Sequence, residues 1–299
     1  MNNQPKVSII LVNYNGFKDT IDCLYSLRNL TYKNFEVMIV DNASTNDSAE
    51  EIKPALTENE VLLEADENRG FSAGNNIGIR YAMDNGADYC LLLNNDTVVE
   101  PDFLGLLIEA FRIYPKCGLS IGKILYESQR DVIWYAGGSL NLKTARTEHW
   151  HYQEKISEEN DKMQKVTFAT GCCMCLSAEA IKKVGLMDED FFLYEEDADY
   201  SIRFINAGYE IFYVPQARIY HKVSASTGSK SGIAQYYTIR NKYKMIDKNF
   251  SGFNKVTAKT YSTAQYLFRC AKGQLDFEYF KMGFKAYKAG EIEKTEQLL

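Results

Sequence analysis

The chain has 299 residues, 45% hydrophobic and 25% charged, which suits one large folded domain or two smaller ones. Its formal charge of -6 is uneven: residues 1–234 hold 22 Lys+Arg against 34 Asp+Glu, a net of -12, and residues 235–299 hold 12 against 6, a net of +6. An acidic body excludes nucleic acid as the main partner, because phosphate backbones need clustered Lys and Arg. No run of about 18 apolar residues offers a membrane span.

From the N-terminus, MNNQPKVSIILVNYNG lacks the basic start and small-residue cleavage site of a secretory signal, so a cytoplasmic protein is expected. Short β-branched runs then alternate with amphipathic segments, the pattern of βα units around a mostly parallel, Rossmann-like sheet. Strands are predicted at Val7–Val12, Val37–Val40, Val61–Leu63 and Tyr89–Leu93. Helices are predicted at Asp19–Leu27, Asp47–Leu56 and Ser72–Asp84, the last two with Asp or Ser at the N-cap. After Pro101 come a helix at Phe103–Tyr114, strands at Gly118–Leu125 and Trp134–Leu140, and a charged stretch, Lys143–Lys165, that reads as a long loop or lid. A strand Val166–Leu176, a helix Ala178–Val184, the acidic segment Asp188–Asp199 and a helix ending at Ala207 follow. Strands Glu210–Val214 and Arg218–His221 close the sheet.

The Ser/Gly stretch SASTGSKSG (224–232) reads as a mobile connection. The division expected is a catalytic α/β domain over 1–230 and a helical extension over 231–299. In the extension Tyr237, Tyr243, Tyr261, Tyr266, Phe268, Phe280, Phe284 and Tyr287 alternate with lysines. Two readings stay open: these aromatics pack on the domain or on a second copy of the chain, or the extension lies on an anionic membrane. Seven cysteines without framework spacing fit a reducing compartment. Cys172, Cys173 and Cys175 lack a second pair and zinc spacing, and read as small core hydrophobes.

Ligands of open α/β sheets sit beyond the carboxyl ends of the strands. Polar residues cluster there: Asn13, Tyr14 and Asn15 just past Val12, Asp41, Asn42 and Ser44 after the second strand, Asn68–Asn76 after the third, and Asn94, Asn95 and Asp96 after the fourth. The first βα turn, VNYNGFKDT, carries only Gly16, which argues against a dinucleotide fingerprint, and there is no GK[ST] phosphate loop.

Through VSIILVNYNG, VDNASTNDS, ENRGFSAGNNIGI, LLLNNDTVVEPDFL, TGCCMCLS and FFLYEEDADYSIR, over about residues 5–245, the chain resembles the glycosyltransferase family 2 enzymes of the GT-A fold, especially the rhamnosyltransferase-like branch. The resemblance implies an α/β GT-A domain followed here by helices. It implies a nucleotide pocket drawing on Val12, Tyr14, Asn15, Asp41, Asn68, Arg69, Gly74, Asn75, Asn76 and Asn95. Small residues and a carboxylate suit that task, letting backbone approach the ligand and accepting a pyrimidine imide hydrogen. The glycines equally suit close helix packing, and Asp41 a turn cap.

The Asn94–Asn95–Asp96 triplet occupies the family's metal-binding position with a single carboxylate. Asp96 and His221 are the implied ligands of a divalent metal, Mn or Mg, and imidazole favours Mn. The base implied is Asp197, with Glu196 second; the alternative for this acidic run is a favourable charge at a helix N-terminus, a role that suits Asp199 paired to Arg203. Phe191, Phe192, Tyr194 and Trp134 read as an acceptor platform or as core. The function expected is inverting sugar transfer from a nucleoside diphosphate sugar, dTDP-rhamnose or a UDP-sugar, to a surface glycan or lipid-linked oligosaccharide. A nucleotidyltransferase-like enzyme and a non-catalytic nucleotide-sugar-binding module are the alternatives.

Overall fold

The computed structural model of the protein describes residues 4–223 and 232–291. Its first part runs β1 (Val7–Asn13), α1 (Phe17–Leu27), β2 (Phe35–Asp41), α2 (Ser48–Ile52), β3 (Glu60–Glu64), α3 (Gly70–Asp84), β4 (Tyr89–Asn94), β5 (Thr97–Val99) and α4 (Phe103–Ile113). Then come β6 (Cys117–Tyr126), β7 (Gln129–Tyr135), β8 (Gly138–Leu140), β9 (Thr147–His149), β10 (Gln164–Val166) and β11 (Cys173–Ser177). After α5 (Ala178–Val184), α6 (Glu196–Asn206) and β12 (Glu210–His221), the C-terminal helices are α7 (Gly232–Asn249), α8 (Gly252–Ala271) and α9 (Phe277–Ala289).

The first four predicted strands pair in parallel in the order β3-β2-β1-β4. Their near-continuous Val, Ile and Leu runs suit strands covered on both faces, and Ile9, Ile10, Ile39, Leu91 and Leu92 are fully buried. Beyond β4 the sheet becomes mixed: β11 is antiparallel to both β4 and β6, and β12 lies parallel to β6. α3 lies tight on β1, since a Cβ at Gly74 would stand 2.8 Å from Val12 and one at Gly78 2.5 Å from Ile10. It starts two residues before the predicted Ser72, with Arg69 at the N-cap and Gly70 at φ +90°.

Two predicted strands are broken by local geometry. Trp134–Leu140 divides into β7 and β8 where Gly137 takes φ +97°, a left-handed turn that interrupts extended backbone. Val166–Leu176 divides into β10 and β11, leaving residues 167–172 irregular beside the acidic segment. Conversely, Glu210–Val214 and Arg218–His221 join as β12, with a bulge between Val214 and Arg218. The charged stretch Lys143–Lys165 is anchored rather than lid-like. The Lys123 ammonium, fully buried, reaches Asn160 at 3.2 Å and Asp161 at 2.6 Å, and the Tyr213 hydroxyl donates to the Asn160 carbonyl at 3.0 Å.

In the extension, Tyr237, Tyr243, Tyr266 and Phe280 are buried and Phe284 and Tyr287 half-buried, so most of its aromatics are core. Part of its positive charge neutralises the body: Lys242 pairs with Glu195 at 2.6 Å, Lys244 with Asp190 at 2.7 Å, and Lys248 with Asp188 at 2.7 Å and Asp199 at 3.0 Å. Met245 and Ile246 of α7 join the main core. Residues 224–231, most of the predicted Ser/Gly connection together with the expected boundary at 230, lie outside the described residues. No helix among the described residues is long and apolar enough to cross a membrane.

Candidate functional site

The β5–β12 ladder pairs Thr97 with His221, and so brings residues distant in sequence to one strand end. There the His221 Nε2 lies 3.1 Å from the Asp96 Oδ1, both side chains largely buried, and the Lys222 amide donates to the Asp96 carbonyl at 2.9 Å. Trp134 stands edge-on to the imidazole at 4.9 Å, and the His221 Nδ1 is buried without a hydrogen-bond partner among the described residues. One carboxylate oxygen and one imidazole nitrogen facing each other fit a shared divalent cation, with water and diphosphate oxygens able to supply the other positions. Among the described residues no group of three or more His, Cys, Asp or Glu could hold a metal. Cys172, Cys173 and Cys175 are free and buried, and burial pushes the Cys173 thiol up to about 12, as expected of core residues.

The other strand ends form a network around Asn13. Its amide nitrogen donates to Asp41 Oδ1 at 2.7 Å, and its oxygen accepts from the Thr20 hydroxyl at 2.9 Å and the Gly16 amide at 3.2 Å. Asp41 also accepts from the Ser44 hydroxyl at 2.6 Å and the Ser44 amide at 3.0 Å, the pattern of a turn cap. Asn15, at φ 59°, locks to Thr45, whose amide donates to its oxygen at 2.8 Å, while Tyr14 is exposed beside it. Asn95 donates to Thr20 at 2.9 Å, joining this network to the Asp96 end.

Asn68 accepts from Asn42 at 3.0 Å and from the Gly70 amide at 2.9 Å, and Arg69 reaches Glu189 at 3.2 Å from a largely exposed position. Three further predicted pocket residues also take part in packing. Gly74 faces Val12, Asn75 donates to the Phe71 carbonyl at 2.9 Å, and Asn76 bonds both the amide and the carbonyl of Met187.

The acidic segment begins with a strained corner: Tyr194 and Glu195 have φ of 70° and 74°, a left-handed conformation costing about 1–3 kcal/mol per non-glycine residue. α7 holds it, for Asn241 donates to the carbonyls of Leu193 at 2.8 Å and Tyr194 at 3.0 Å, and Lys242 pairs with Glu195. From this corner α6 starts. Asp197 Oδ2 accepts from the Gly171 amide at 3.1 Å, across the break between β10 and β11, and its Oδ1 accepts from the Ala198 amide at 2.8 Å. Burial, opposed by these hydrogen bonds, pushes the Asp197 carboxyl up to about 6. Glu196 is buried, its Oε2 without a hydrogen-bond partner among the described residues, and burial together with Asp197 raises it well above the usual carboxylate range.

Of the two carboxyls, Asp197 is thus the easier to ionise. Asp199 is fully buried; Asn249 donates to it at 2.7 Å, and Lys248 at 3.0 Å lies closer than the expected Arg203 at 3.5 Å. Of the expected aromatic platform, Phe191 is core and Phe192 stacks on Tyr237 at 5.0 Å. Gly171, Thr20, Asn241 and Lys242 were not singled out by sequence; only the TGCC run pointed at Gly171.

The profile of "Glycosyl transferase family 2" matches residues 8–185. The dTDP-rhamnosyl transferase RfbF of Shigella flexneri is 25% identical over 248 residues, covering 80% of this chain and 79% of that protein. Two solved structures are similar in fold. The mannosyltransferase PcManGT of Pyrobaculum calidifontis, in complex with GDP-Man and Mn2+, has a TM-score of 0.58 at 17% identity, over 99% of this chain and 78% of that one. GalNAc-T7 with UDP, GalNAc and Mn2+ has a TM-score of 0.63 at 13% identity, over 98% and 59%.

Proposed function

Because this chain belongs to glycosyl transferase family 2 and is a GT-A glycosyltransferase using a nucleotide-sugar donor, we propose that it inverts the anomeric centre of dTDP-rhamnose or a UDP-sugar in one displacement. The acceptor in this reading is a hydroxyl of a surface glycan or lipid-linked oligosaccharide, met in the cytoplasm at the inner face of the membrane. Residues 1–230 are the catalytic domain and 231–299 its helical extension.

The observation that carries this reading is the contact of Asp96 with His221 at 3.1 Å, in a chain whose ionisable Asp197 is held by the Gly171 amide. Asp96 and His221 would hold the divalent cation, which when bound supplies Lewis-acid charge for the departing diphosphate. Asp197 accepts the acceptor's hydroxyl proton as that oxygen bonds to the anomeric carbon and the bond from that carbon to the diphosphate oxygen breaks. Glu196, raised further by its burial beside Asp197, is the second candidate for the base. Asp41, Asn68, Arg69 and Asn15 are the remaining nucleotide contacts in this reading, with Val12, Tyr14 and Asn95 bordering them.

Titration of dTDP and UDP, with Mn2+ and with chelator, tests the assignment. Asp96→Ala and His221→Ala each weaken the metal-dependent part of binding. Equal affinity with and without chelator in the unaltered protein contradicts it.

A further inference from the structure

α8 is amphipathic in an unusual direction. Its inward side packs Ala258, Ser262 and Tyr266, and Lys255 and Lys259 pair with Asp247 at 2.7 and 2.6 Å. Its outward side carries Phe253, Val256, Leu267 and Phe268, exposed at 79%, 62%, 45% and 61%. With Thr260 and Ala264 between them, these residues span roughly 120° of the helix without a charge. A stripe of this kind along a helix about 30 Å long is a surface left uncovered by the described residues.

We propose that this outer face of α8 docks on an anionic lipid bilayer. Charge decides between a bilayer and a second copy of the chain. Apart from Lys255 and Lys259, which are turned to Asp247, residues 252–291 hold five Lys or Arg against three Asp or Glu, a net of +2, and pairing α8 with itself would bring two such surfaces together. An anionic bilayer complements them, each basic residue near it contributing about 1 kcal/mol. Lys272 lies 5.6 Å from the Phe268 ring and Lys281 4.8 Å from that of Phe277, so ammonium groups stand beside the exposed rings, as at a lipid interface. α8 is not apolar enough to span, and an amphipathic helix lying in the headgroup region buries only such a face. This surface deepens the lipid-linked-acceptor reading above, and its test needs no turnover, so either can fail alone.

The experiment is flotation of the full chain with vesicles of phosphatidylcholine plus phosphatidylglycerol and with phosphatidylcholine alone, alongside sedimentation of the free protein. Phe253→Ser/Phe268→Ser alters only exposed side chains, and a thermal melt checks that the fold is kept. The unaltered chain floats with the anionic vesicles at low salt and less at high salt, and the double variant partitions at least about tenfold less. Absence of flotation, equal flotation of the double variant, or a dimer of the unaltered chain that the variant dissociates overturns the proposal.

Discussion

Replacing Asp197 by Asn separates chemistry from architecture. The carboxylate accepts two backbone hydrogen bonds, from Gly171 at 3.1 Å and Ala198 at 2.8 Å, and an amide has one oxygen to offer. One amide N–H therefore loses its acceptor, at about 1–3 kcal/mol of stability. Urea unfolding reads that loss directly. The kinetic effect is larger: a general base is worth about 10²–10⁴-fold, or about 2.7–5.5 kcal/mol of barrier. In the unaltered enzyme kcat falls as pH drops through about 6, because the base must be ionised to act, and the variant loses this limb along with its rate. Donor affinity stays near normal, since Asp197 is assigned to the acceptor side. Initial rates and nucleotide titration on the folded variant, with Glu196→Gln in parallel, make the test. Near-normal turnover of Asp197→Asn, with collapse in Glu196→Gln, refutes the assignment.

Lys242→Met removes a cation that lowers the Asp197 pKa, so the acidic limb of the pH–rate profile moves above about 6, and Lys242→Arg moves it back. An unmoved limb at unchanged donor KM shows that α7 does not tune the base. Gly78→Ala places a methyl 2.5 Å from the fully buried Ile10, an overpacking cost of about 1–3 kcal/mol that outweighs the gain in helix propensity of about 1 kcal/mol; a raised melting temperature contradicts that packing account.

The parallel half of the fold was legible because β1, β2 and β4 are buried on both faces along most of their length and their apolar runs are near-continuous. Asp96, His221 and Asp197 were reached through ordered motifs, and the chain brings the first two together by a ladder no periodicity reveals. What escaped was set by tertiary contacts. That the Asn76 amide bonds the backbone of Met187 is set by a contact across more than a hundred residues. The irregular stretch 167–172, which aims the Gly171 amide at Asp197, reads as strand because Val166 and Phe168 are apolar. Lys242 looks like one lysine among many in a basic tail, and only folding sets it against Glu195. The same folding turned most tail aromatics inward and left Phe253 outside, a residue the aromatic pattern had not singled out.

The central claim is metal-assisted sugar transfer with inversion. Proton NMR of the purified chain mixed with dTDP-rhamnose or a UDP-sugar, an acceptor glycan and Mn2+ tests it most directly, because one spectrum reports both consumption of the donor and the anomeric configuration of the product. The account predicts a product of configuration opposite to the donor's, formed with Mn2+ and not with chelator. A product that keeps the donor's configuration, or transfer undiminished by chelator, contradicts it.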